Sequence, residues 1–403
     1  MTTIQPPADS RRILSLDVLR GVAVLGILLM NVQSFSMPEV TYFNPTAYGD
    51  LNGVNYWVWY LSRLFVDTKF MSIFSMMFGA SMLLILDRAA ERGRRPFLVH
   101  LRRNAFLALV GLAHAYLLWV GDILFPYALC SFFVFLFRKR RPRTLVILGL
   151  VMLLIGSALS LLGGMQPDSP ELRAEAEKFN PTQEMVDEEL TIYRSGWLEQ
   201  MPHRVESARS MHLMVLPWYF FWRVTGMMLL GMAFFRWGIL SAERSRRFYW
   251  TFVALGIVVG LPLVHYGVVV SDANEWAYLA TFFGAAQYNY WGSVFVACGW
   301  IGVVMLVCKS TLGLAEMSAV ASVGRMAFTN YLMQTVIATT FFYGHGFGQF
   351  GRLERIEQLF FVLTVWALQL IWSPWWLKRF RYGPAEWIWR WATYGKRPGF
   401  VRG

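Results

Sequence analysis

The sequence predicts an all-α membrane protein, a polytopic bundle of about ten transmembrane helices with both termini cytoplasmic. Three observations predict it. The 403-residue chain is 56% hydrophobic with a mean hydropathy of +0.42. Its charged residues, 15% of the total, are gathered into short blocks between apolar runs, most of them close to the ~20 residues a bilayer requires. Lys and Arg concentrate in alternate connections, the asymmetry that orients membrane helices.

In order, the runs able to span lie near 18–37, 68–86, 103–120, 122–137, 144–163, 212–235, 248–270, 288–308, 325–344 and 357–377. The fourth is short and follows the third after Gly121 and Asp122, so the pair reads as a tight helical hairpin. Residues 54–66 run into the second span without a break. One helix of that length overshoots a bilayer by more than ~10 Å, which places the aromatic stretch in the outer interface. Residues 276–290, ending in Gln287 and Asn289, read as an interfacial or re-entrant piece. The C-terminal WIWRWATYG reads as an amphipathic anchor with Arg390 and Lys396 toward lipid headgroups.

With ten spans, Arg11 and Arg12, Arg88 to Arg103, Arg138 to Arg143, Arg236 to Arg247 and Lys378 to Arg381 all fall on one side. That side is the cytoplasm. Loop 164–211, with ten acidic residues against five basic ones, falls on the other and is expected to form a small external cap around PELRAEAEKF. The chain thus divides into a membrane half 1–163, a loop or cap 164–211, a second membrane half 212–377 and an interfacial tail 378–403. The net charge of +12 is cytoplasmic charge facing membrane lipids, so nucleic acid is not an expected partner.

Several chemistries are excluded. Cys130, Cys298 and Cys308 fall within or at the ends of spans, which leaves no disulfide for the outer loops and no metal-ligand spacing. No metal is expected. Gly346, Gly348 and Gly351 have G-x-G-x-x-G spacing but follow a membrane helix rather than a strand, and the chain lacks a phosphate-binding P-loop. His203 and His212 read as solvated loop residues. No small-x-small cleavage site follows the first span, which is expected to be retained.

The polar residues inside the spans are the candidate site, because a charge at hydrocarbon depth costs roughly 2.5–3.5 kcal/mol unless it faces protein or a water-filled cavity. Arg20 and Asn31 lie eleven residues apart in LDVLRGVAVLGILLMN. At helical pitch they share a face and stand roughly 16 Å apart along the axis. His114 is the histidine set well inside a span, a candidate base near neutral pH. Asp122, eight residues on, would stand roughly 12 Å away on a straight helix, so contact requires the chain to bend back. Asp67 and Lys69 mark the outer entrance of the second span, where a capped helix start competes with sugar binding. Asn330, Tyr331 and Gln334 share one face of the ninth span and are candidates to line a cavity with Asn31, or to bond helices together. Arg223, near the middle of the sixth span, needs a phosphate, a backbone carbonyl or a carboxylate as partner.

Five blocks, LDVLRGVAVLGILLMN, DTKFMSIFSMMFGAS, HAYLLWVGDILFPYAL, GRMAFTNYLMQ and GPAEWIWRWATYG, together resemble the YeiB family of bacterial membrane proteins, nearly end to end. Its first span is similar to that of the membrane acyltransferase superfamily, in many members of which an arginine is followed eleven residues on by a histidine. Here that position is Asn31, an amide that hydrogen-bonds but is no base near neutral pH. A lysosomal amino-sugar acetyltransferase that also resembles the first span has asparagine there.

The resemblance implies transfer of an acyl group, acetyl above all, from cytosolic acyl-CoA to an extracytoplasmic sugar or lipid-linked acceptor, at the bacterial inner membrane. Under that reading His114, Asp122 and Asn31 are catalytic candidates. Arg20, Arg325 and Arg223 bind the donor, and Asp67, Lys69, Trp119, Asn330, Tyr331 and Gln334 bind the acceptor. A secondary transporter or exporter of a small anionic or amphipathic solute is the alternative, and a non-catalytic membrane scaffold the third reading.

Overall fold

The computed structural model describes residues 13–310 and 314–402. Arg11 and Arg12, expected ahead of the first span, lie outside them. The described residues form helices joined by short connections, with one isolated β-bridge from Phe380 to Val401. The helices are α1 Leu14–Ser36, α2 Gly53–Phe65, α3 Lys69–Glu91, α4 Pro96–Leu117, α5 Leu124–Phe135, α6 Pro142–Gly163, α7 Pro170–Phe179 and α8 Gln183–Arg194. They continue with α9 Met201–Arg236, α10 Arg246–Ala273, α11 Leu279–Cys308, α12 Leu314–Arg325, α13 Ala327–Phe342, α14 Arg355–Arg379 and α15 Pro384–Tyr394.

Seven helical runs among the described residues are long and apolar enough to cross a membrane. The chain is a multi-pass membrane protein. Each of the ten expected spans falls on a helix, but α4, α5 and the α12–α13 pair do not meet that standard. The reasons are local. Helix α4 carries His100, Arg102, Arg103 and Asn104, α5 has 12 residues, and α12 is broken from α13 at Met326 (φ −109°, ψ 28°).

Helix α1 is the centre of the bundle: 72% of its apolar window is buried, against 28% for α6 and α14, which turn Ile147, Leu154, Phe360 and Ile371 outward as lipid-facing surface. The tightest approach is between α1 and α12. A Cβ built on Gly21 would stand 2.1 Å from the Val320 carbonyl oxygen, and one on Gly324 1.9 Å from that of Asp17. Two backbones in direct contact need glycine on both faces, and the LRG and GR pairs supply it.

The aromatic helix α2 ends before α3 begins. The break is at Thr68, whose φ of 61° lies in the left-handed region. For residues 276–290 the structure bears on the re-entrant alternative alone. They are no re-entrant piece, because the chain runs from Leu279 to Cys308 as one helix whose first turns are π-helical. The acidic loop is a helical cap, α7, α8 and the start of α9. Ser169 caps α7 and Thr182 caps α8 through their hydroxyls.

The tail is docked on the bundle. The Trp389 indole donates to the Arg103 carbonyl (2.9 Å), and the Arg103 guanidinium lies 3.5 Å from the centroid of the Trp389 ring. Glu386 accepts the backbone N–H of Phe328 (2.7 Å) and Thr329 (3.1 Å) and the Thr329 hydroxyl (2.5 Å). The block GPAEW therefore caps the free N-terminus of α13, where the helix dipole favours a carboxylate.

Candidate active site

Pro96 opens α4, and the helix closes when the N–H groups of Leu118 and Trp119 both turn back to the His114 carbonyl. Residues 118–123 then reverse the chain. Gly111 lets α5 come close, since a Cβ there would stand 2.3 Å from the Phe125 nitrogen and 2.9 Å from Asp122 Oδ2. The reversal overturns the 12 Å separation that a straight helix gives. His114 Nδ1 lies 2.9 Å from Asp122 Oδ1, and Asp122 Oδ2 accepts the Phe125 N–H at 2.8 Å, so one carboxylate both caps α5 and holds the imidazole.

The other imidazole nitrogen is also engaged. His114 Nε2 lies 2.9 Å from the Thr335 hydroxyl on α13. A carboxylate can only accept, so with Asp122 in that form Nδ1 donates to it and Nε2 accepts from the Thr335 hydroxyl. Carboxylate, imidazole and hydroxyl stand in line, each at most 2% exposed. Tyr331, one turn before Thr335, closes one side: its ring centroid is 5.3 Å from that of His114, and its hydroxyl lies 3.4 Å from both the Gly121 carbonyl and the Ile123 nitrogen.

Trp119 closes another side, with its ring centroid 4.0 Å from that of Phe35 on α1. Asn31 lies one turn before Phe35 on the same face of α1 and is buried. Above this centre the cap seals the end of α4. Trp197 and Arg204 both donate to the Leu117 carbonyl, at 2.8 and 3.3 Å.

The cap itself rests on a carboxylate pair. Glu189 Oε1 accepts the Glu39 N–H at 2.9 Å, and the Tyr193 hydroxyl donates to Glu39 Oε1 at 2.8 Å. Burial, with the nearby Glu39 charge, pushes the Glu189 carboxyl up to about 7.

At the opposite end of α1, Arg20 donates to Asp17 Oδ1 (3.1 Å) and to the Ser81 hydroxyl (2.8 Å) while staying partly exposed. Arg20 and Arg390 are both close enough to Arg103 to repel its charge. Arg325 ends α12 beside the Gly21–Gly324 contact. This end is a cluster of guanidiniums with Asp17 among them.

The remaining predicted residues are placed elsewhere. Asn330 and Gln334 do not join Asn31. Asn330 bonds Val323, Ser373 and Trp372, and Gln334 bonds the Val24 carbonyl and Gln369, which ties α1, α13 and α14 together. Arg223 is fully buried, with no carboxylate among its described partners. It donates to the Tyr290 carbonyl (2.5 Å) and the Ser72 and Ser293 hydroxyls (2.9 and 2.6 Å), with its charge 4.5 Å from the Tyr290 ring centroid. Those partners make it a helix-joining residue of α3, α9 and α11.

Asp67 and Lys69 meet through Asn289, whose amide donates to Asp67 Oδ2 (3.0 Å) and accepts from Lys69 Nζ (2.6 Å). Arg63 and the Tyr42 hydroxyl complete the partners of Asp67. Asp67 also borders a cavity of about 40 Å³ at the cap end of α1, α2 and α14, lined by Gln33, Tyr42, Trp59, Arg63 and Arg355 among others.

Sequence reasoning missed Thr335, Asn289 and Glu386. Thr335 is four residues after Tyr331, so its face was legible, but threonine in a membrane helix commonly bonds its own backbone and carries little signal.

Relatives align along nearly the whole chain. The protein YeiB of Escherichia coli (strain K12) is 34% identical over 388 residues, which covers 95% of this chain and 96% of the relative. YxaH of Bacillus subtilis (strain 168) is 30% identical over 413 residues, covering 98% and 97%. The chain belongs to the YeiB family. Residues 234–396 match the family described as a protein of unknown function (DUF418). In this YeiB-family chain the matched region takes in Thr335, the Glu386 cap and the docked tail, while His114, Asp122, Arg20 and Asn31 lie ahead of it.

Proposed function

We propose that this protein is a membrane acyltransferase of the bacterial cytoplasmic membrane, moving an acyl group, acetyl in the first instance, from cytosolic acyl-CoA to a hydroxyl or amine of an extracytoplasmic sugar or lipid-linked acceptor. The observation that carries this reading is the buried line Asp122–His114–Thr335, in which the imidazole is fixed with Nε2 as proton acceptor. A base so placed contributes about 10²–10⁴-fold to acyl transfer. In the net reaction the thioester C–S bond breaks, a bond forms between the acyl carbon and the acceptor oxygen or nitrogen, and the acceptor's proton passes by way of His114 to the departing CoA thiolate. The Asn31 amide and the Trp119 indole are the donors offered for the charge that builds on the acyl oxygen. Arg20, Arg103, Arg325 and Arg390 suit the phosphates of the donor.

The test is transfer in proteoliposomes. Label from acetyl-CoA supplied on one face is expected to appear in an envelope glycan fraction on the other, and His114→Ala is expected to abolish it. Absence of label in every glycan fraction, while an established membrane acyltransferase labels its own acceptor in parallel, contradicts the reading. The alternative, a secondary transporter, is favoured by the buried Asp67, Asn289 and Lys69 chain. Counterflow of a solute recovered chemically unchanged would select it.

A further inference from the structure

Resting on the acyl-transfer reading, we propose that Thr335 is itself the first acyl acceptor, so that transfer runs through a threonine ester instead of passing directly between donor and acceptor. His114 Nε2 is occupied: the Thr335 hydroxyl is 2.9 Å away and fully buried with it. An acceptor hydroxyl arriving from outside therefore finds the base already engaged. The proton nearest His114 is the one on Thr335, and a hydroxyl within reach of a base that a carboxylate orients is an activated nucleophile.

The order of events follows from this occupancy. Thr335 Oγ1 bonds to the thioester carbon and its proton moves to His114 Nε2. The C–S bond breaks, and the CoA thiolate leaves with that proton. Thr335 is then an ester with no hydroxyl hydrogen, and Nε2 is free. A hydroxyl or amine from the cap side now gives its proton to His114 and bonds to the acyl carbon. Thr335 Oγ1 leaves and recovers the proton. Donor and acceptor need never be bound together. That suits a chain whose guanidinium cluster and capped end lie at opposite ends of the bundle.

The experiment uses the full chain in detergent with acetyl-CoA and tritiated CoA, and no acceptor. Expected are exchange of label into acetyl-CoA and one acetyl group on Thr335 in the tryptic peptide 326–352, read by mass spectrometry. Thr335→Val is expected to lose both while acetyl-CoA still raises its melting temperature, and Thr335→Ser to restore both. Three results overturn the proposal. Exchange that persists in Thr335→Val removes threonine from the pathway. Binding and consumption of acetyl-CoA with neither exchange nor label removes the ester and leaves acyl transfer standing as a direct reaction. Absence of binding and exchange with acetyl-, succinyl- and palmitoyl-CoA alike removes the acyl-transfer reading as well.

Discussion

Asp122 serves two ends with its two oxygens, holding His114 Nδ1 through one and the first turn of α5 through the other. Replacement by asparagine keeps an acceptor for the Phe125 N–H but removes the charge that stabilises a protonated imidazole. Asp122→Asn is expected to leave the fold intact and lower acyl transfer by about 10²–10⁴-fold, measured as initial rate at saturating donor. Glu386 is the opposite kind of carboxylate, structural rather than chemical. Glu386→Gln retains an acceptor for Phe328 and Thr329 but loses the charge opposite the α13 dipole. It is expected to cost about 1–3 kcal/mol, seen as a lower unfolding temperature with donor binding per folded molecule preserved. The sequence pointed to His114 and Asp122 separately and put them too far apart. The turn that joins them depends on the absence of a side chain at Gly111, and a missing side chain gives no periodicity to read.

At the scale of elements, α1 and α12 meet backbone to backbone at Gly21 and Gly324. Gly324→Ala forces the two helices apart and is expected to destabilise the protein by about 1–3 kcal/mol and to weaken donor binding, because Arg20 and Arg325 flank that contact. Thermal unfolding and acetyl-CoA titration of the same preparation check both parts. Hydrophobic runs made the ten expected spans legible, since length and apolarity are read residue by residue, whereas α12, Leu314–Arg325, precedes the expected ninth span and was not among them. Interruptions were less so. The break at Met326 leaves the apolar run continuous, and its partner Glu386 is 60 residues away in sequence. The π-helical start of α11 likewise replaced an expected re-entrant piece, since Gln287 finds Ser157 and Ser160 on a neighbouring helix. The tail was read as an amphipathic anchor for a related reason. The tryptophan pattern that suits a lipid interface also suits stacking on Arg103.

At the scale of the molecule, a cluster of guanidiniums at one end and a helical cap at the other enclose the line from Asp122 to Thr335. The cap contact is sensitive to pH. The Glu189 carboxyl has a folded value near 7 against an ordinary 4.5, so the folded state holds a proton that the free chain releases across that window. Glu189 therefore favours the docked cap most at low pH, and this contribution, bounded by about 3 kcal/mol, is lost as pH rises from 4.5 to 7 and is flat above. Glu39, Tyr193 and His203 are the titratable groups around it. Hydrogen exchange in residues 183–194, corrected for intrinsic rates, is expected to quicken between pH 5 and 7.5 in the native protein and to lose that dependence in Glu189→Gln. The central claim, that an acyl-CoA enters beside Arg20, is tested most directly by the melting temperature of the purified protein with acetyl-CoA, set against free CoA and ATP. A rise equivalent to about 2.7 kcal/mol at a hundredfold excess over Kd, lost in Arg20→Ala, is the expected result. No rise at millimolar acetyl-CoA, or an equal rise in Arg20→Ala, would contradict it.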